Sequence, residues 1–86
     1  MPAATGANIP VVLDLIGLKC PLPVLRLQKA LATMAAGATI EVRATDPLAA
    51  IDIPHLLREN GDTLVAQNRD AGILSFVIRK GPASGE

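Results

Sequence analysis

The chain has 86 residues, which is enough for one small domain and too few for two. Half of the residues are hydrophobic, but Phe76 is the only aromatic residue, so the predicted core is aliphatic. The 8 basic and 8 acidic residues give a formal net charge of +0. This balance argues against a protein whose main task is to hold nucleic acid, because such proteins carry a basic surplus.

The chain contains one cysteine, Cys20, which cannot form an internal disulfide. The N-terminal residues "MPAATGANIP" do not have the basic start and apolar run of a secretory signal. No stretch approaches the roughly 20 apolar residues that span a bilayer. We therefore expect a cytoplasmic protein that has no membrane contact and keeps its thiol reduced.

The first elements follow a strand-then-helix order. Residues 1–8 are small and polar and predict a disordered tail. "VVLDL", residues 11–15, predicts a short strand that Gly17 ends. A helix is predicted from Pro21 to about Ala36, with Gly37 as its stop. Its apolar face is expected to hold Val24, Leu27, Leu31, Met34 and Ala35.

The middle of the chain predicts a second strand and a second helix. "TIEVRAT", residues 39–45, alternates apolar and charged side chains with a period of two, as in a strand with one buried face. Pro54 would damage the interior of a helix that began at Pro47. We therefore expect a turn at 46–51 and then a helix capped by Asp52, with Pro54 in its first turn. Ile53, Leu56 and Leu57 would share its buried face.

The last third predicts a hairpin. "DTLVAQNR" and "ILSFVIRK" read as strands around a tight turn at residues 70–72, and residues 81–86 as a C-terminal tail. The element order is βαβαββ over one domain at residues 9–80. Because parallel crossovers are right-handed, both helices should lie on the same side. The predicted fold is α/β (α+β): a two-layer sandwich of a four-stranded mixed sheet with two helices on one face, its strand order left open.

Cys20 is predicted to cap the first helix. A residue before proline is pushed towards extended backbone, which an N-cap residue adopts, and proline suits the first helical position. Pro21 would be that first position, and Pro23 the third. The helix dipole would then favour a thiolate at Cys20 and lower its pKa, with the N–H of Leu22 as the direct donor to sulfur.

Other residues near Cys20 are candidates for local charge and docking. Lys19, Arg26 and Lys29 are the only charged residues between positions 15 and 40, and their positive charge would favour the thiolate further. Leu22 and Leu25 fall outside the apolar face and could form a docking patch for another protein, or be ordinary exposed leucines. Asp46 and Asp52 are expected to be caps near the same sheet edge, with a minor part in partner recognition.

A second cysteine would complete a Cys-x-x-Cys redox motif, but Pro23 stands at that position. A single thiolate can attack a sulfur of another molecule and has no partner of its own with which to close a disulfide. This chemistry favours a residue that accepts a group, carries it and passes it on. His55 is the only histidine and no second His or Cys lies near it in the sequence, so neither a metal site nor a cofactor is predicted.

The stretch "LDLIGLKCPLPVLRLQKAL" resembles the signature of the TusA (SirA-like) sulfur-carrier family, L-D-x-x-G-L-x-C-P-x-P opening a helix. Asp14 and Gly17 match the Asp and the Gly of this motif, ahead of Cys20. "GATIEVRATDP", "DIP" and "FVIRK" are similar to later parts of the family pattern, so the likeness covers residues 13–80. It implies a two-layer βαβαββ sandwich.

The resemblance also implies a function. The motif cysteine, here Cys20, would carry sulfane sulfur as a persulfide. A cysteine desulfurase or a rhodanese-type protein would donate the sulfur, and a cysteine of a downstream protein would accept it, for tRNA thiolation, sulfur oxidation or cofactor biosynthesis. The family's thiolation member has Glu where this chain has Leu22, and a second cysteine where this chain has Leu56 or Leu57.

Two other functions stay open at this point. The chain could be a non-catalytic RNA-binding or regulatory module, although stacking aromatics and net positive charge are missing. It could also be a redox sensor whose single cysteine is oxidised. Whether the chain is an enzyme in the strict sense is left open, since a sulfur carrier acts as a sulfurtransferase through its persulfide.

Overall fold

The sheet and helices follow the predicted order. The computed structural model describes residues 11–82. Its elements are β1 (Val11–Leu15), α1 (Leu22–Ala32), β2 (Thr39–Ala44), α2 (Ala49–Asn60), β3 (Thr63–Asp70) and β4 (Ile73–Arg79). In this described part, neither helix has the length and apolar character needed to cross a membrane.

The four strands form one mixed sheet in the order β1-β2-β4-β3. β1 runs parallel to β2, with Leu15 opposite Ala44 at their carboxyl ends. β4 lies between β2 and β3 and is antiparallel to both. The predicted four-stranded mixed sheet with two helices is confirmed, and the parallel pair brings the ends of β1 and β2 to one edge of the sheet.

The hairpin between β3 and β4 has a two-residue turn. Ala71 and Gly72 both have positive φ, at 52° and 83°. Positive φ at both central positions is the geometry whose twist matches two antiparallel strands, and glycine adopts it without steric cost. The turn lies where the sequence predicts it.

The core lies between the sheet and the helices. Alternate residues of β2 and β4 face inward, as the period of two predicts, and Glu41 and Arg43 on the opposite face form an ion pair at 3.0 Å. The helices supply aliphatic side chains at helical spacing. The core comprises Leu15, Leu27, Leu31, Ile40, Val42, Ala44, Ala49, Ile53, Leu56, Leu57, Leu74, Phe76 and Ile78.

Helix α1 is shorter than predicted. It ends at Ala32 because the N–H groups of Thr33 and Met34 bond three residues back, to Ala30 and Leu31 at 3.1 Å, which tightens the last turn. The Thr33 hydroxyl also donates to the Ala30 carbonyl. Ala35 therefore lies beyond the helix and is exposed, so its predicted place on the buried face is wrong.

Helix α2 begins four residues earlier than predicted, with Leu48 at the N-cap position instead of Asp52. The carbonyls of Asp46 and Pro47 already accept the N–H groups of Ala49 and Ala50, and Ala49 is buried in the core. Pro54 consequently lies inside the helix, where its missing N–H removes one helical hydrogen bond. Asp52 lies within the first turn of α2 and does not occupy its N-cap position, so the prediction that Asp52 caps this helix is wrong.

The end of β4 is held by a buried carboxylate that the sequence analysis does not single out. Asp62 accepts the N–H of Gly81 at 2.8 Å, and the Lys80 ammonium lies 3.7 Å from the same oxygen. Gly81 is itself buried, although the sequence assigns it to the C-terminal tail. The predicted N-terminal tail at 1–8 and the rest of the C-terminal tail from residue 83 lie outside the described residues.

We predict that Gly81→Ala destabilises the fold by about 1–3 kcal/mol, the usual cost of overpacking a filled site. A Cβ at position 81 would lie 2.0 Å from the carbonyl oxygen of Gly61, and a backbone atom cannot move aside cheaply. Urea denaturation measures the change. Pro82→Ala alters the exposed neighbour and should stay within about 1 kcal/mol. Equal stability of Gly81→Ala and wild type would contradict the packing seen at this position.

Candidate functional site

Cys20 lies at the sheet edge where β1 and β2 end. The segment 16–21 connects β1 to α1, and the Cys20 side chain is exposed. Pro21, with φ −97° and ψ 14°, is the residue at the N-cap of α1, and the Cys20–Pro21 peptide is cis. Cys20 thus stands one residue before the cap, so the prediction that it caps the helix is wrong by one position.

The backbone around Cys20 forms a tight turn that engages the Leu22 N–H, which is predicted from the sequence to donate a hydrogen bond to the sulfur. The N–H of Leu22 donates to the carbonyl of Lys19 at 2.8 Å, closing a turn over residues 19–22. The N–H of Leu25 then donates to Pro21 as the first helical bond. Pro23 is in the first turn, where a missing N–H costs little, and is buried. The prediction that the Leu22 N–H serves the sulfur is therefore wrong.

Two hydrogen bonds tie this loop to the loop between β2 and α2. The Cys20 N–H donates to Asp46 Oδ2, and the Gly17 N–H donates to the Thr45 hydroxyl at 2.9 Å. Asp46 Oδ1 accepts the Leu48 N–H at 3.0 Å, so one carboxylate serves both loops. Thr45 is not among the predicted site residues, although its position directly after β2 is a signal that points to it.

The two motif residues ahead of Cys20 shape the turn that leaves β1. The Asp14 carboxylate accepts the Ile16 N–H at 3.0 Å, and the Leu18 N–H returns to the Leu15 carbonyl at 3.1 Å. Gly17 has φ 87°, a left-handed conformation that favours glycine. Both residues therefore act on the path of the backbone towards Cys20.

The Cys20 thiol donates to a carboxylate. Its Sγ lies 3.6 Å from Oδ2 of Asp52, which belongs to the first turn of α2. Although the side chain is exposed, neighbouring protein atoms displace part of its water. This desolvation, the hydrogen bond to Asp52 and the negative charges of Asp52 and Asp46 raise the pKa of the thiol. The predicted lowering is thus wrong in sign.

The predicted cations do not offset these carboxylates. Lys19, Arg26 and Lys29 are all exposed. Arg26 and Lys29 lie about 6 Å and about 10 Å along the helix axis from Leu22, given a rise of about 1.5 Å per residue. Lys29 is in the last turn of α1, where a cation complements the negative end of the helix dipole.

A groove between the two helices opens beside the sulfur. Its volume is about 270 Å³. It is lined by Cys20, Pro21, Val24, Gln28, Asp52, His55, Leu56 and Glu59. His55 Nε2 lies 3.3 Å from Glu59 Oε2 across one helical turn. Among residues 11–82, no three His, Cys, Asp or Glu side chains converge as metal ligands would.

Exposed apolar side chains surround this end of the molecule. We use the term apolar rim for Ile16, Leu22, Leu25, Leu48 and Ile51. They are 44%, 45%, 52%, 49% and 67% exposed, in that order. All come from the loops and helix starts at the sheet edge that carries Cys20. The predicted exposure of Leu22 and Leu25 is confirmed.

Comparisons with known proteins agree on a family. The family model described as "Sulfurtransferase TusA" matches residues 11–80. The "Sulfur carrier protein TusA" of Pseudomonas putida is 44% identical over 69 residues, covering 80% of this chain and 86% of that protein. Its counterpart in Allochromatium vinosum is 38% identical over 68 residues, covering 79% and 90%. The crystal structure of a SirA-like protein from Desulfitobacterium hafniense superposes with a TM-score of 0.72 at 26% identity, covering 83% of this chain and 97% of that one.

We predict that Asp46→Ala lowers the free energy of unfolding by about 1–2 kcal/mol, because the N–H groups of Cys20 and Leu48 lose a charged acceptor. Chemical denaturation measures the loss. Asp70→Ala removes an exposed carboxylate beside the distant hairpin turn and should change stability by less than about 0.5 kcal/mol. If both variants are equally stable, Asp46 does not hold the two loops together.

Proposed function

The chain belongs to the TusA sulfurtransferase family, and on that basis we propose that it accepts sulfane sulfur on Cys20 as a persulfide and passes it to a thiol of an acceptor protein. The observation that carries this proposal is the exposed sulfur of Cys20, held at the sheet edge by the hydrogen bond from the Cys20 N–H to Asp46. Relatives named sulfur carriers support the same role.

The loading step exchanges one sulfur–sulfur bond for another. The Cys20 thiolate attacks the outer sulfur of a donor persulfide, and an electron pair of Cys20 forms the new bond. The sulfur–sulfur bond within the donor persulfide breaks. The inner sulfur of the donor leaves as a thiolate and keeps the electron pair of the broken bond. The leaving thiolate takes up the proton that Cys20 lost, so the step needs neither oxidant nor reductant. Unloading repeats the exchange with an acceptor thiolate as the attacking group.

The presence of a single cysteine suits a carrier. A second thiol nearby would attack the inner sulfur of the persulfide and release sulfide while closing a disulfide. Because the sequence holds no other cysteine, this intramolecular loss is blocked. The sulfur stays on Cys20 until an external thiol arrives.

The partners follow from this chemistry. We propose a cysteine desulfurase or a rhodanese-type protein as donor, because each forms a persulfide on its own cysteine. A downstream protein with a reactive thiol would be the acceptor. A cytoplasmic location suits a protein that must keep its thiol reduced. No direct contact with nucleic acid is proposed, since the formal net charge is +0.

The raised pKa of Cys20 disfavours the redox-sensor alternative. Sensor cysteines have a low pKa and react as thiolates with oxidants when the protein is free. Here desolvation and two nearby carboxylates act in the opposite direction. A carrier tolerates this property, because its thiol reacts only in a complex with its donor.

The apolar rim is the surface that we propose for docking. Exposed leucines beside a reacting sulfur let a partner exclude water from the exchange, and buried apolar contacts stabilise such a complex. Lys19, Arg26 and Lys29 flank this surface and suit a partner with acidic residues around its cysteine. Asp46 and Asp52 contact Cys20 itself, the first through its N–H and the second through its Sγ.

We predict that a purified cysteine desulfurase supplied with L-cysteine adds one sulfur atom to each chain, and that peptide mapping places it on Cys20. Intact-mass measurement without reductant detects the addition. The Cys20→Ser variant should gain no sulfur under the same conditions. Loading of Cys20→Ser, or no loading of the wild type by any desulfurase or rhodanese-type donor, would refute the proposal.

We predict that Leu22→Ser together with Leu25→Ser slows loading from the donor protein by about tenfold, because loss of two buried leucine contacts weakens the complex by about 1.4 kcal/mol or more. Alkylation of Cys20 by iodoacetamide should be unchanged in this variant. Val65→Ser, which alters a similarly exposed residue on the opposite edge strand, is the matched control. Equal loading of all three proteins would exclude Leu22 and Leu25 from docking.

A further inference from the structure

The contact between Cys20 and Asp52 assigns a second residue to the reaction. Asp52 Oδ2 lies 3.6 Å from Sγ and accepts the S–H of the unloaded protein. We infer that Asp52, which touches the reacting sulfur, retains the thiol proton, so that the free, unloaded carrier stays slow towards small electrophiles and oxidants. This inference rests on the proposed function, because it distinguishes an unloaded from a loaded sulfur.

The fold places Asp52 so that the sulfur is its hydrogen-bonding partner. Asp52 belongs to the first turns of α2 and is half-buried. None of the ion pairs found within residues 11–82 involves this carboxylate. The early start of α2 at Ala49 makes this possible, because an Asp52 that capped the helix would direct its oxygens to backbone N–H groups instead.

The charges facing the sulfur come from three segments. The loop before α2 contributes Asp46, whose carboxylate accepts the Cys20 N–H. Helix α2 contributes Asp52, His55 and Glu59, the last two paired with each other. The turn before α1 contributes Lys19, and the part of α1 that lines the groove is uncharged. Among the residues that the structure describes, Asp52 alone accepts a hydrogen bond from the sulfur. Desolvation of the sulfur and the carboxylates of Asp52 and Asp46 all disfavour its ionisation.

The contact exists only while Cys20 is unloaded. In a persulfide, Sγ is bonded to the outer sulfur and has no proton to donate to Asp52. A persulfide is also a stronger acid than its parent thiol, so the outer sulfur carries negative charge close to the same carboxylate. Like charges at this distance repel. Asp52 therefore restrains the empty thiol and favours departure of the loaded sulfur.

The test is the pH dependence of Cys20 alkylation by iodoacetamide, a neutral reagent that reacts with the thiolate. The wild-type profile should lie at higher pH than that of N-acetylcysteine amide, a free thiol without a neighbouring charge. Asp52→Asn should raise the rate at neutral pH by about threefold to tenfold, since one pKa unit corresponds to a factor of ten in thiolate. Rates of the two proteins should converge at a pH where both thiols are ionised.

The matched control is Glu59→Gln, which removes the same charge from the same groove without touching sulfur. Its rate at neutral pH should change by less than about twofold, as expected for an exposed charge. Asp52→Ala removes the carboxylate without adding an amide and should shift the profile in the same direction as Asp52→Asn. Circular dichroism of each variant checks that the fold is kept.

Each outcome has a distinct meaning. An unchanged profile in Asp52→Asn and Asp52→Ala, an equal shift in Glu59→Gln, or slower alkylation would overturn the role of Asp52. A rate raised by the same factor at every pH would also overturn it, because it would report improved access instead of ionisation. The proposed function fails separately, if the wild type takes no sulfur from a donor while these alkylation profiles shift as expected.

Discussion

The Asp46 carboxylate determines where the sulfur is placed. It accepts the N–H of Cys20 with one oxygen and that of Leu48 with the other, and so joins the loops that follow two parallel strands. Parallel pairing brings those loops to the same edge, but it does not fix their backbones. The carboxylate does, and the start of α1, the start of α2 and the position of Sγ all depend on it.

A consequence of this arrangement is that the surroundings of the sulfur combine two distant parts of the sequence. Cys20 comes from the first loop, and its two carboxylate neighbours lie 26 and 32 residues further along the chain. The helix dipole of α1 is one influence on the sulfur, and the carboxylates are the other. Because Cys20 stands outside the cap and the Leu22 N–H is used by Lys19, the dipole does not prevail. Desolvation of the sulfur, together with the two carboxylates, raises the pKa of the thiol.

The sequence predicts the sheet better than the helix ends. Strands β2 and β4 alternate between buried residues and partly or fully exposed ones, and the glycine-containing turn fixes the hairpin, so local patterns suffice. The starts of both helices are set by contacts that local rules do not contain. Pro54 argues locally for a late start of α2, yet burial of Ala49 and the turn at Asp46 extend the helix towards its N-terminus.

For the site, the motif identifies Cys20, and strand topology predicts that Asp46 and Asp52 lie near it. Neither the motif nor the topology tells which carboxylate oxygen accepts from which donor. Those contacts contribute to the sign of the change in the pKa of Cys20. The same limit explains why Thr45 and Asp62 are missed, since each acts on the backbone of a residue far away in the sequence. Long-range hydrogen bonds of this kind become visible only once the chain is folded.

The central claim is that Cys20 carries a sulfur that it can give up again, and release from the loaded protein tests it most directly. Loaded protein, separated from its donor, would be mixed with excess N-acetylcysteine and sampled over time by mass spectrometry. We expect each chain to lose one sulfur and return to its original mass, while an equal amount of N-acetylcysteine persulfide forms and is trapped by alkylation. A sulfur that stays on the chain, or that leaves from a residue other than Cys20, would contradict a carrier role.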